Sequence, residues 1–87
     1  MNAVENKLVC RIDSYDNYLS QLEIAGTGFF NESMIMQHIE VQRSLSKTLR
    51  NELFSGGLTF WDVCGQADAI LGVNCGDLIN EYEALND

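Results

Sequence analysis

Residues 57–87 read GLTFWDVCGQADAILGVNCGDLINEYEALND, and two helix-start signals within this stretch decide the fold. Thr59 stands three residues before Asp62, the spacing of a capping box, in which the hydroxyl and the carboxylate each satisfy a free backbone amide. Leu58 precedes the cap and Val63 follows it at the spacing of a hydrophobic staple. Asn74 repeats the device, with Asp77 three residues on and Val73 placed to staple Leu78. Between the two starts lies Gly72, which can take the left-handed conformation that ends a helix. The spacing therefore predicts a short helical pair over 60–71 and 75–86.

Working backwards, Ser55, Gly56 and Gly57 close a longer helix. Its start is signalled at Asn31, with Phe30 and Ile35 as staple, so the predicted span is 32–54. Met34, Ile35, His38, Ile39, Val41, Leu45, Leu49 and Leu53 share one broad face at 100° per residue, and Arg43, Lys47 and Arg50 fall on the other. Further upstream, Val4, Leu8, Ile12, Tyr15, Leu19 and Leu22 recur at spacings of three and four, one stripe of a helix over 3–25. Gly26, Thr27 and Gly28 end it. No proline interrupts any of these segments. The expectation is an all-α fold: two long helices, then a short helical hairpin of helix-turn-helix type, and no sheet.

At 87 residues there is room for a single domain with one modest core, burying roughly 60–65% of the unfolded chain's surface. No apolar run approaches the ~18 residues of a membrane span, and the opening MNAVENKLVCRID lacks the basic flank and apolar stretch of a signal peptide. Cytoplasmic location is the expectation. Three cysteines, Cys10, Cys64 and Cys75, are an odd number at wide spacing, which fits a reducing compartment better than a disulfide framework. With His38, the only histidine, they lack the close ligand pairs of a zinc site, and small buried apolar residues are the simpler reading.

Charge is distributed unevenly. Residues 1–50 carry five cations against six carboxylates, whereas residues 51–87 carry seven carboxylates and no cation, so nearly all of the net −8 belongs to residues 51–87. The segment AILGVNCGDLI, 69–79, has the glycine and apolar spacing of a DNA-binding turn, but a recognition helix bearing Asp77, Glu81, Glu83 and Asp87 offers nothing to phosphates. Catalysis finds little support: His38 sits on an apolar face where a half-buried, hydrogen-bonded role is expected, and Asp13-Ser14 lies beside no base. GTG and SGG lack the lysine and hydroxyl of a phosphate cradle, and EIAGTGFFNESMIMQ lacks the D-x-D spacing of a calcium loop. No cofactor or metal is expected.

Recognition of a protein partner remains. Asp62, Asp68, Asp77, Glu81, Glu83 and Asp87 can face a basic, nucleic-acid-handling surface, as a DNA mimic of the phage anti-defence kind does, or serve solubility alone. On the first reading, reversing Asp77, Glu81 and Glu83 to lysine leaves the fold intact and abolishes binding. The alternative is apolar docking through Phe29, Phe30, Met34 and Met36, as in a helical adaptor, chaperone or immunity protein, or a homodimer. Two helices of about 23 residues span roughly 35 Å by the helical rise, more than the final pair can cover.

Overall fold

A computed structural model describes residues 2–25 and 32–86. Among these residues the elements are all helical: α1 (Ala3–Ala25), α2 (Glu32–Ser55), α3 (Phe60–Gln66), a π-helical turn (Ala67–Leu71) and α4 (Gly76–Asn86). The expected all-α fold is what forms. The signals at Gly26, Thr27, Gly28, Phe30 and Asn31 lie outside the described residues.

Local chemistry accounts for most boundaries. α1 opens on a reciprocal cap not foreseen from the sequence, in which the Glu5 amide donates to Asn2 Oδ1 at 2.9 Å and the Asn2 amide donates to Glu5 Oε1 at 3.1 Å. α2 closes where Gly56 adopts φ 78° and the Gly57 and Leu58 amides turn back to the Glu52 carbonyl. The Thr59–Asp62 capping box forms in full at the head of α3. Asn74 Oδ1 accepts from the Gly76 amide at 3.2 Å, and Ile79 donates to the Cys75 carbonyl, so α4 starts one residue later than the cap spacing suggests.

The predicted single helix over 60–71 needs one correction. Its last turn is widened into π geometry, with the Gly72 and Val73 amides both reaching the Ala67 carbonyl and Gly72 at φ 72°. Tertiary bonds hold this wide turn: Gln42 Nε2 donates to the Ile70 carbonyl at 3.0 Å, and Asp68 Oδ1 accepts from the Cys75 amide at 2.8 Å. Gln42 in turn accepts from the Tyr15 hydroxyl at 2.7 Å, so α1, α2 and the π-turn share one polar chain.

α1 and α2 run antiparallel, as their ion pairs descend one helix while climbing the other. Asp13 lies 3.1 Å from Arg50, and Asp16 and Glu23 both meet Arg43. Arg43 and Arg50 therefore flank the α1 contact rather than lying on α2's far side. The guanidinium of Arg50 also sits 5.2 Å over the Phe54 ring. Buried Ser46 is the small residue at this crossing, donating to the Arg43 carbonyl and to Asp16.

The core gathers at one end. Val4, Leu8, Val9 and Ile12 of α1 and Leu49 and Leu53 of α2 meet Phe60, Val63 and Cys64 of α3, Ala67 and Leu71 of the π-turn, and Cys75 and Leu78. The Phe60 and Tyr82 rings stack at 4.2 Å, with Trp61 edge-on to Tyr82 at 5.0 Å and half exposed. Beyond this lobe the α1–α2 hairpin continues alone, with Leu19 and Ile39 buried in its seam. The result is elongated, 51 × 22 × 18 Å, with a radius of gyration of 14.4 Å against the roughly 12 Å of a compact domain of this length. No helix among the described residues is long and apolar enough to cross a membrane.

Candidate partner-binding surfaces

The expected acidic surface maps onto the lobe end, but its carboxylates are not uniformly free. Asp77 at the start of α4 takes two parallel hydrogen bonds of 2.7 Å from Arg11 of α1. The guanidinium holds the Asp77 carboxyl down to about 2, and the Asp77 and Leu78 amides at the head of α4 add to the effect. Arg11 also donates to the Asn74 carbonyl at 2.8 Å. One turn further along, Lys7 donates to Glu81 at 2.6 Å. Two of the seven carboxylates that the sequence leaves without a local cation are thus neutralised by α1, whose basic residues lie more than sixty positions away in the chain. That corrects the picture of an uncompensated acidic helix α4.

Three others meet neutral donors. Asp62 accepts from the Thr59 amide at 3.4 Å, Asp68 from the Cys75 amide at 2.8 Å, and Glu83 from the Trp61 indole N–H at 3.3 Å. Each keeps its whole negative charge while its position is restrained. Asp87 lies outside the described residues.

The apolar candidates divide as well. Phe29 and Phe30 lie outside the described residues. Met34 is 67% exposed, whereas Met36 is partly buried in a second depression beside Ser20, Glu23, Ile24 and Arg43. Residues two apart on a helix point in different directions, so these methionines do not form one cluster. His38 is exposed, not half-buried as its place between Met34 and Leu45 suggested. The large apolar side chains left exposed on this half of the hairpin are Tyr18, Leu22 and Ile24 of α1 and Met34, Ile35 and Val41 of α2, at 36–87%. Tyr18 and Leu22 lie one and two turns beyond Tyr15 on α1, and Ile35 lies two turns before Gln42 on α2. The periodicity marks Leu22 and Val41 as core-facing, but they are 38% and 58% exposed, since no described helix lies over them.

Other features carry less. A groove of about 520 Å³ is lined by Cys10, Arg11, Ser14, Tyr15, Val73 and Asn74, but its one cation is committed to Asp77 and to the Asn74 carbonyl. The Cys64 and Cys75 thiols lie side by side, fully buried, and burial pushes them up to about 11 and about 12. Such thiols are poor nucleophiles at neutral pH. Among the described residues no group of three or more histidine, cysteine or carboxylate side chains is placed to hold a metal ion.

No family model matches the chain, and neither a curated protein nor a solved structure matches it.

Proposed function

We propose that the chain is a non-enzymatic, cytoplasmic protein-binding module: a small acidic inhibitor that lays its α3–α4 face over a basic, nucleic-acid-handling surface of a partner, in the manner of a DNA mimic of the anti-defence type. One observation carries this reading. Asp62, Asp68 and Glu83 are restrained by neutral N–H donors rather than by cations, on a segment from α3 to α4 that contains no lysine or arginine. Fixed charges lose little freedom on meeting a guanidinium, and their field steers a basic partner toward the face. Asp77 and Glu81, already paired, contribute shape more than field.

The test is the triple variant Asp62→Asn, Asp68→Asn, Glu83→Gln, which keeps one acceptor oxygen at each position and removes three charges. On columns of immobilised chain loaded with host lysate, proteins retained by the wild type should elute between low and physiological salt and be displaced by duplex DNA. The variant should retain far less of them. Equal retention by both columns, insensitive to salt, sinks the acidic-face reading.

A second reading has its own support. The exposed apolar side chains of Tyr18, Leu22, Met34, Ile35 and Val41 favour apolar docking, as in a helical adaptor, chaperone or immunity protein, with a homodimer as one form of the same contact. That contact would survive high salt.

A further inference from the structure

We infer that Trp61, with Gly65 one turn beyond it and Glu83 at its indole edge, forms a shelf on the α3–α4 face that takes an arginine side chain of the partner, the guanidinium lying flat on the ring. The inference rests on the acidic-face reading and names the group that this face selects.

Trp61 is held in place as well as exposed. Its indole N–H donates to Glu83 Oε1 at 3.3 Å, and its ring meets Tyr82 at 5.0 Å and 88°. Tyr82 in turn stacks on buried Phe60 at 4.2 Å, so the orientation of the indole is tied to the core through two aromatic contacts. Even so, 46% of the residue stays exposed. An aromatic side chain already held in place loses little freedom when a partner covers it, and tryptophan is among the residues that dominate binding energy.

Gly65 keeps the flank of the indole bare. Residues four apart are neighbours on a helix surface, and the later side chain leans back toward the earlier one. Position 65 is exposed inside α3, where glycine is destabilising relative to alanine. Neither backbone nor packing requires it, since its φ is not positive and a Cβ built there meets nothing within 4 Å. What the glycine does provide is open space beside Trp61.

The occupant follows from charge and shape. Residues 51–87 contain no lysine or arginine, and Glu83 enters no ion pair among the described residues. The face of an indole is negative and attracts a cation. A carboxylate accepts several hydrogen bonds, of which the indole takes one. A guanidinium satisfies both groups together, its plane on the ring and an N–H on Glu83, whereas an ammonium is a point charge with no flat face. An apolar side chain would cover the ring but take water from Glu83 without replacing it.

Trp61 is the only tryptophan of the chain, so its indole N–H resonance reports on the shelf alone. The experiment titrates the full chain at low salt with oligoarginine, with oligolysine of equal length, and with an uncharged peptide containing leucine. Oligoarginine should shift the indole resonance to saturation and bind about three- to tenfold tighter than oligolysine, although the two carry the same charge. Trp61→Leu and Gly65→Leu should each erase that preference and leave the salt-sensitive affinity that both peptides share, while circular dichroism stays helical. Equal binding of the two cationic peptides by the wild type, or a preference that survives in either variant, overturns the shelf and leaves the acidic face standing. An indole resonance moved as far by the leucine peptide gives the site to an apolar side chain and overturns the proposal too. Binding of neither cationic peptide at low salt defeats the shelf and the acidic-face reading together.

Discussion

Arg11 of α1 and Asp77 of α4 form a two-pronged ion pair, each prong 2.7 Å, that clamps the last helix to the first. Reversing Asp77 to lysine is therefore not a neutral surface change, since it sets two cations against each other at this contact. The folded carboxyl is held near 2 against an ordinary 3.8, so the pair adds stability that is present above about pH 4 and disappears as pH falls toward 2. Denaturation midpoints should drop more steeply through that window for the wild type than for Asp77→Asn. A double-mutant cycle with Arg11→Gln should give a favourable coupling that shrinks as salt is added. No coupling at low salt would mean that α4 is held by its apolar face and the Lys7–Glu81 pair, without help from Asp77.

Capping gives the next expectation. Thr59→Ala removes the acceptor for the Asp62 amide, and Asn74→Ala removes the acceptor for the Gly76 amide. Each should cost about 1 kcal/mol in chemical denaturation. The two losses should add, because the caps serve different helices. A cost near zero at Thr59 would show that α3 is held entirely by Phe60, Val63 and Cys64.

Gly72 isolates a backbone effect. At φ 72° it turns the chain from the π-turn toward α4, and a Cβ built there meets nothing within 4 Å. The cost of Gly72→Val is then conformational, about 1–2 kcal/mol, and Gly72→Asn should cost clearly less because asparagine tolerates the left-handed region. Equal costs for both variants would point to a steric clash and contradict the open surroundings.

Signals that act within a few residues were legible in the sequence: the capping box at Thr59, the positive φ at Gly72, the stripe from Val4 to Leu19. Bonds that join distant positions were not. Arg11 and Asp77 are 66 residues apart, and nothing local marks either as the other's partner. The π-turn has the same cause, since its carbonyl at Ile70 is satisfied by Gln42 from another helix. The face expected for α2 was right at Ile39, Leu49 and Leu53, which are buried, but Met34, Ile35, His38 and Val41 are exposed, and Arg43 and Arg50 pair with α1 instead of lying on the far side. The candidate site shows the same division. Carboxylate positions are read directly from the sequence, whereas whether each is neutralised depends on where α1 comes to lie.

The three thiols should separate cleanly by reactivity. Cys10 is exposed, whereas Cys64 and Cys75 are fully buried beside each other, with the Cys75 thiol donating to the Val73 carbonyl at 3.5 Å. An aromatic disulfide reagent at neutral pH should titrate one thiol of the native protein, and all three in denaturant. Raising the pH adds a second test. Burial favours the protonated thiols in the folded state, up to about 11 for Cys64 and about 12 for Cys75, while the unfolded chain ionises them near 9. Between about pH 9 and 11 the folded state holds more protons than the unfolded one, so stability should fall with rising pH. Cys64→Ala with Cys75→Ala should flatten that alkaline decline, though it lowers stability at neutral pH by leaving a small cavity. If the double variant declines with pH as steeply as the wild type, the alkaline loss belongs to other groups, and the thiols do not control it.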